Sequence, residues 1–211
     1  MARIKNKNYR KFLDQGIIET INEDTIKQAL NNIKGKRKKE GRALLITLYY
    51  TGARPNEILR LKTESINKDK SYLVIKMPAS KNGLPRSIYL QLKKPLIKEL
   101  YNFCQSIPPN MYLFYNYRSK YTRTRKTKKG ITQYTEIADS LRYHFNKWFE
   151  GIIPESIPPY FLRHNRFSKL SEAGLDMQDI RILKGAKTYN SVMPYLHMST
   201  KSAKKIAKKM E

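Results

Sequence analysis

Arginine, lysine and tyrosine are the side chains of this sequence that could do chemistry on a phosphate ester. The 211 residues include 43 Lys and Arg, 15 Tyr and 17 Asp and Glu. Arginine matches two phosphate oxygens with its planar set of N–H donors and does not lose its charge. Tyrosine can attack phosphorus, and lysine can protonate a departing oxygen. Together they allow phosphoryl transfer in which protein cations stabilise the transition state.

The carboxylates argue against a metal-dependent nuclease. Such an enzyme holds Mg²⁺ with two or three convergent Asp or Glu side chains. The acidic residues are scattered here, and none forms an Asp-x-Asp or Asp-x-x-Glu pair beside a lysine in a strand-like segment. The single Cys104 cannot build a Cys-based zinc site or an intramolecular disulfide. We therefore expect no metal and no other cofactor.

The charge balance predicts a polyanionic partner. At pH 7 the formal net charge is +26, which favours nucleic acid. A membrane is disfavoured, because no segment approaches the roughly 18 apolar residues of a spanning helix. A hydrophobic content of 40% excludes a disordered basic tail. The N-terminus is basic without an apolar signal segment, so the expected location is the reducing cytoplasm, in association with nucleic acid.

The residues that could act on phosphate must be positioned mainly by helices. Asn22 suits the cap of a first helix, and apolar residues follow it at helical spacing. Pro95 suits the start of another. Further helices are predicted over residues 43–50, 55–61, 134–150, 159–173 and 177–184. The glycines placed to end helices are Gly52, Gly174 and Gly185.

A small antiparallel sheet completes the predicted fold, which is mainly α. The β-prone runs 72–75 and 87–90 flank an Asn-Gly pair, which predicts a hairpin with an extended loop. Residues 1–20 are expected to form a basic arm. The chain ends with an apolar stripe at helical spacing: Ala203, Ile206, Ala207 and Met210.

Two segments of the first half carry spaced motifs, LYYTGARPNEILRL at residues 48–61 and SKNGLPRSIYL at residues 80–90. The first resembles the first arginine box of the tyrosine recombinase, or phage integrase, family. In that box a supporting acid stands three residues after the arginine, and Arg54 and Glu57 match these places. The second resembles the family's β-hairpin, whose lysine leads the turn. Lys81 matches, with Gly two residues and Arg five residues later.

A third motif, YFLRH at residues 160–164, resembles the family's H-x-x-R-H second box. Tyr160 replaces the first histidine of the box, and Arg163 and His164 match its end. Two glycines and a tyrosine follow Arg163 by 11, 22 and 32 residues, the family's offsets between this box and the nucleophile. The resemblance therefore gives Tyr195 the nucleophile's position.

The resemblance implies the DNA breaking-rejoining catalytic-domain fold over residues 21–211, mainly helical with a three-stranded antiparallel sheet. It implies a site-specific recombinase or integrase of a virus, plasmid or other mobile element. Such an enzyme cleaves and rejoins double-stranded DNA through a 3′-phosphotyrosine intermediate. The family's usual N-terminal core-binding domain has no counterpart in this sequence, which leaves room for a separate DNA-binding subunit. The C-terminal stripe is expected to mediate self-association on DNA.

The resemblance also implies a role for each matching residue. Tyr195 attacks the scissile phosphate, and Arg54 and Arg163 hold its nonbridging oxygens. Lys81 protonates the departing 5′ oxygen. The phenol of Tyr160 can still donate a hydrogen bond to phosphate. The supporting residues are Glu57 and His164.

Departures from the family keep other readings open. Ala186 stands where the family usually has His or Trp, and Lys187 and His197 are candidates to replace that contact. Tyr189 is the nearest rival for the nucleophile. The chain could be a catalytically impaired relative that only binds DNA, or a relaxing enzyme similar to type IB topoisomerases. Retention of both arginines, the lysine and the tyrosine favours an active enzyme.

Two basic segments are the expected contacts to the DNA backbone. A charge run is usually a solvated face, but a chain of +26 that must hold a duplex is expected to use these charges on phosphates. One of them is residues 34–42. The other, residues 118–129, contains seven Lys or Arg and is predicted to be an exposed loop. The residues assigned to DNA are Lys36, Arg37, Lys38, Lys39, Arg123, Arg125, Lys126, Lys128 and Lys129.

Overall fold

Helices make up most of the regular structure. The computed structural model describes residues 21–79, 83–119, 122–127, 130–135, 138–153 and 156–195. Its α-helices are α1 (Glu23–Asn32), α2 (Lys38–Thr51), α3 (Pro55–Ile58), α4 (Pro95–Gln105), α5 (Asp139–Trp148), α6 (Phe161–Glu172) and α7 (Met177–Lys184). Short 3₁₀ turns lie at Thr63–Ser65, Tyr115–Tyr117, Tyr189–Ser191 and Met193–Tyr195. The mainly helical class predicted from the sequence is confirmed.

The central helix is α2, which packs against α4 and α6. Every residue from Ala43 to Thr51 is buried. Gly52, in the left-handed conformation at φ 57°, ends the helix as predicted. The helix begins at Lys38 rather than at residue 43, because lysine is a good helix former and Glu40 in the first turn accepts hydrogen bonds from Asn116.

The predicted three-stranded sheet is confirmed. Strands β1 (Ile66–Asp69), β2 (Tyr72–Met77) and β3 (Arg86–Gln91) pair antiparallel in that order. In the β2–β3 hairpin, Met77 lies opposite Arg86, so the extended loop between them begins and ends at these residues. Alternate side chains of the two strands are buried in the core: Leu73, Ile75, Met77, Ile88 and Leu90.

The prediction that the basic segment 118–129 forms a loop is wrong, because the segment contains a strand. Strands β4 (Thr122–Thr127) and β5 (Gly130–Thr135) form a separate antiparallel hairpin in which Thr127 lies opposite Gly130. Threonine alternates with basic residues in β4, a period of two with β-branched residues that favours a strand over a loop. The helix predicted over residues 134–150 begins later, at Asp139, because residues 134 and 135 belong to strand β5.

The buried apolar side chains of the described residues form two clusters. The larger one surrounds α2. The smaller one lies between α6, α7 and the chain beyond α7, and consists of Phe167, Ile180, Ala186, Val192 and Tyr195. Helix α7 ends at Gly185, which has a φ of 64°, and Gly174 follows α6 with a φ of 88°. Both glycines therefore stand at helix ends as predicted.

Some predictions concern residues outside the described ranges. These are the arm at 1–20, Lys81, Lys128, Lys129, His197 and the C-terminal stripe at 203–210. Among the helices that the structure describes, none is both long enough and apolar enough to cross a membrane.

Candidate active site

Arg54 lies at the junction of α2 and α3, where the chain reverses at Gly52. A side chain at Gly52 would meet Arg166 within 3.0 Å, so the turn requires glycine. Arg54 caps α3, and Pro55 begins it. The Glu57 carboxylate accepts hydrogen bonds from the Arg54 backbone N–H at 3.0 Å and from its Nη1 at 2.7 Å. Burial opposes the charge of Arg54, but Glu57 outweighs it and raises the pKa of the guanidinium.

Glu57 also joins this turn to the hairpin. Its Oε2 lies 2.9 Å from Nη2 of Arg86 at the start of β3, and both side chains are buried. Burial alone would raise the pKa of Glu57, but Arg86 and Arg54 lower it to about 2. Sequence reasoning noted Arg86 only as part of the hairpin motif and did not place it in the site. Its position five residues after Lys81 was the available signal.

Glu57→Ala is expected to lower the free energy of unfolding by about 3–5 kcal/mol, because it leaves Arg86 buried without its counter-ion. Denaturant unfolding at pH 7 measures the loss, and Glu64→Ala, at an exposed glutamate, is the control. Because the pKa of Glu57 is about 2 in the folded chain, its stabilisation is complete above pH 4.5 and declines towards pH 2. Equal stability of the two variants would contradict this role.

Arg163 connects the ends of α2 and α7 from its place on α6. Its Nη1 donates to the Gly52 carbonyl at 2.7 Å, and its Nη2 donates to the Lys184 carbonyl at 2.8 Å. Its side chain is 1% exposed, and its Nε–H has no hydrogen-bond partner among the described residues. Burial and the nearby charge of Arg54 lower the pKa of Arg163 to about 10. The buried guanidinium therefore keeps an unused donor beside a second cation.

Tyr195 lies in the 3₁₀ turn Met193–Tyr195 and is only 2% exposed. Its hydroxyl oxygen is 2.8 Å from Nδ1 of His164 on α6. Burial and the charges of Lys184 and Arg163 lower the pKa of His164 to about 4. The imidazole is therefore neutral at pH 7 and suited to hold the phenol rather than to remove its proton.

Tyr160 and Tyr189 occupy more exposed positions. Tyr160 precedes α6, lies edge-on to His164 with ring centroids 5.0 Å apart, and interacts with the guanidinium of Arg54. It thus lies between the arginine of the first box and the histidine of the second, and its contact with phosphate stays a prediction. Tyr189 is 44% exposed and stacks on Arg181 at 5.0 Å. The structure therefore places Tyr195, rather than Tyr189, beside His164.

The β2–β3 loop is attached to the end of α7. The Leu84 N–H donates to the Gly185 carbonyl at 3.0 Å, and Gly83 forms an isolated bridge with Ala186. A Cβ at Gly185 would come within 2.7 Å of Arg86 Nη1 and 2.8 Å of the Leu84 carbonyl. Ala186 is therefore buried under the hairpin, whereas the neighbouring Lys187 is exposed.

The basic segments lie at different places. Helix α2 has 14 residues, so at 1.5 Å per residue its first turn is about 20 Å from its last. Lys36, Arg37, Lys38 and Lys39 are at the far end of α2 from Arg54 and are exposed. The other assigned residues that the structure describes, Arg123, Arg125 and Lys126, lie on β4.

Residues 19–202 match the sequence profile of the phage integrase family. The chain belongs to this family. The tyrosine recombinase XerA of Pyrococcus furiosus is 28% identical to it over 203 residues, which cover 96% of this chain and 64% of that protein. One site of this integrase-family chain brings together the residues that match the family's two boxes and its nucleophile. Lys81 lies outside the described residues.

Solved recombinase structures share the fold of the integrase domain. The XerH site-specific recombinase bound to its difH substrate superposes with a TM-score of 0.62 and 21% identity, over 90% of this chain and 54% of that one. The XerA recombinase superposes with a TM-score of 0.59 and 16% identity, over 90% and 62%. The chain therefore spans less than two thirds of these relatives' length. These neighbours confirm the tyrosine recombinase catalytic-domain fold.

Proposed function

We propose that this chain is the catalytic domain of a site-specific recombinase that cleaves and rejoins duplex DNA through a 3′-phosphotyrosine intermediate. The observation that carries the proposal is a group of cations at one end of α2, beside a buried tyrosine. Burial and then Arg54 lower the pKa of Arg163, and burial and then both arginines lower the pKa of Lys184. A bound phosphate would offset the repulsion among these three cations. It would also accept a hydrogen bond from the Nε–H of Arg163, which has no partner among the described residues.

The proposed cleavage is a transesterification. The Tyr195 hydroxyl attacks phosphorus and loses its proton to water, the bond to the 5′ oxygen breaks, and Lys81 protonates that oxygen. Arg54 and Arg163 hold the nonbridging oxygens, and Tyr160 donates a hydrogen bond to the phosphate. Because Tyr195 is 2% exposed, side chains that cover it must move aside before DNA can reach its hydroxyl.

Rejoining reverses these steps. A 5′ hydroxyl attacks the phosphotyrosine and gives its proton back to Lys81, the bond between phosphorus and the tyrosine oxygen breaks, and that oxygen takes a proton from water. The phosphodiester is exchanged rather than hydrolysed, so the reaction needs neither ATP nor a metal. We place this activity in the cytoplasm, in the integration, excision or resolution of a mobile element.

The proposed partners are duplex DNA and further copies of the chain, which would associate through residues 201–211. A separate subunit that grips the opposite face of the duplex would serve the same reaction. The charge of +26 supports the DNA partner.

A covalent adduct tests the function. The protein is mixed in excess EDTA with a duplex whose scissile 5′ bridging oxygen is sulfur, and the protein–DNA product is resolved under denaturing conditions. An adduct supports the proposal, whereas a strict requirement for Mg²⁺ would favour a nuclease. Binding without an adduct would identify an impaired relative. With supercoiled plasmid, relaxed circles without recombinants would favour the topoisomerase-like alternative.

Duplex binding is expected to weaken steeply with salt, because phosphate contacts release counter-ions. The log–log slope is about −0.9 for each contact. Replacing both Lys36 and Lys38 by Gln should make the slope shallower by up to about 1.8. Anisotropy titrations at several salt concentrations measure it. The control is the same double change at Lys68 and Lys70, exposed lysines near β1. An equal slope for the two double variants would remove the α2 segment from the DNA interface.

A further inference from the structure

Lys184 is buried where an apolar residue would be expected. It is the last residue of α7 and follows the fully buried Ile180 by one helical turn, on the same face. Its side chain is 5% exposed, although lysine is almost never buried unless it is paired. No carboxylate forms an ion pair with Lys184 within the described residues. The position therefore needs an explanation other than folding stability.

The contacts of Lys184 reach both the tyrosine and one of the arginines of the candidate active site. Its Nζ donates a hydrogen bond to the Ser191 carbonyl and lies 4.4 Å from the ring centroid of Tyr195. Its backbone carbonyl accepts the Nη2–H of Arg163 at 2.8 Å. One residue thus touches the turn that carries the tyrosine and the arginine that would hold the phosphate.

We propose that Lys184 is a positioning residue that holds the segment Tyr189–Tyr195 and thereby sets the place of the Tyr195 hydroxyl relative to Arg163. The inference rests on the proposed function and adds to it a residue that no matching motif contains. A cation over the face of the tyrosine ring and a charged donor to a carbonyl are both favourable in a dry site. Ala186, two residues later, offers no polar side chain for this purpose.

The surroundings of Lys184 make this hold sensitive to pH. The groups around it are Arg163 and His164 from α6, Arg54 from the α2–α3 junction, Arg86 beside Gly185, and Tyr195 itself. Burial, Arg163 and Arg54 lower the pKa of Lys184 to about 7. The ammonium form of Lys184 therefore predominates below pH 7. Only this form provides the cation over the Tyr195 ring and the charged donor to the Ser191 carbonyl. A phosphate bound between the arginines would favour the charged form and tighten the hold.

The test measures attack by the tyrosine alone. A duplex with a 5′ bridging phosphorothiolate has a leaving group that needs no proton, so a defect in Lys81 would not slow it. Single-turnover adduct formation is followed from pH 5.5 to 9 for the wild type, Lys184→Met and Lys184→Arg. Lys187→Met, at the exposed lysine three residues on, is the matched control. Melting temperature and duplex affinity are measured for every variant.

We expect Lys184→Met to slow adduct formation roughly 10- to 100-fold below pH 7, as misplacement of a reacting group does. The ratio of wild-type to variant rates should fall towards one at the alkaline end of this range, as wild-type Lys184 loses its proton. Lys184→Arg should restore part of the rate and lack this pH dependence, and Lys187→Met should match the wild type. At pH 6 the melting temperature of Lys184→Met should not be lower than that of the wild type, because a buried charge is removed.

Three results would overturn the inference. The first is an unchanged rate for Lys184→Met at every pH. The second is a uniform slowing with a lowered melting temperature in both Lys184 variants, which would mark a merely structural role. The third is a wild-type protein that forms no adduct, which would overturn the proposed function and this inference together. An adduct in the wild type with no effect at Lys184 would overturn the inference alone.

Discussion

Tyr195→Phe is expected to abolish the covalent protein–DNA adduct and to leave duplex affinity unchanged. The substitution removes only the hydroxyl that would attack phosphorus. It also removes the 2.8 Å contact to His164, a single hydrogen bond worth about 1 kcal/mol, so the fold should persist. Denaturing electrophoresis with labelled duplex measures the adduct, and filter binding measures affinity.

Tyr189→Phe is the matched control for Tyr195→Phe. Tyr189 lies six residues earlier in the same segment but is 44% exposed, and its ring stacks on Arg181 rather than beside His164. We expect this variant to form the adduct at the wild-type rate. Peptide mapping of the wild-type adduct to Tyr189 would contradict the assignment of the nucleophile.

Arg54→Ala is expected to slow adduct formation roughly 10²- to 10³-fold, the usual effect of losing one donor that stabilises transition-state charge. Binding should weaken far less, since one phosphate contact is a small share of the interface. The fold should tolerate the change, because Glu57 keeps its ion pair with Arg86. Single-turnover kinetics at saturating protein measure the rate, and Arg60→Ala, at an exposed arginine, is the control.

Reduced binding with an unchanged rate per bound complex would contradict the role of Arg54 as a clamp on the scissile phosphate. Arg163→Ala gives a less clear result. It would leave the carbonyls of Gly52 and Lys184 without their donor, so lost activity would be mixed with lost stability. Arg54 is therefore the sharper test of electrostatic stabilisation.

Local sequence signals correctly predicted where several helices begin or end. Asn22 caps α1 through hydrogen bonds to the N–H groups of Asp24 and Thr25, and Gly52 and Gly185 end their helices in the left-handed conformation. The basic hairpin at β4 and β5 was missed because its charges hid an alternation of threonine with polar residues. A run of charged residues predicts contact with solvent, and it does not distinguish a strand from a loop.

The candidate site was predicted where its residues belong to short motifs. Arg54 and Glu57 are three residues apart, so their contact could be expected. Arg86 meets Glu57 across 29 residues, and only the folded hairpin brings them together. Lys184 resembled one more charge at the end of an amphipathic helix. Its burial depends on where α7 packs against α6, which no local pattern encodes.

The smaller apolar cluster determines how often the tyrosine is available. Tyr195 belongs to this cluster, which contains five buried residues and is separate from the main core. A cluster with so few apolar contacts loosens at a lower free energy than the whole domain unfolds. In the proposed mechanism, only the fraction of molecules in which the cluster has loosened around Tyr195 presents the hydroxyl, and each 1.4 kcal/mol of loosening free energy reduces that fraction about tenfold. Under the proposed mechanism, adduct formation on any duplex would fall by the same factor, so the packing of five side chains would set the basal rate of cleavage.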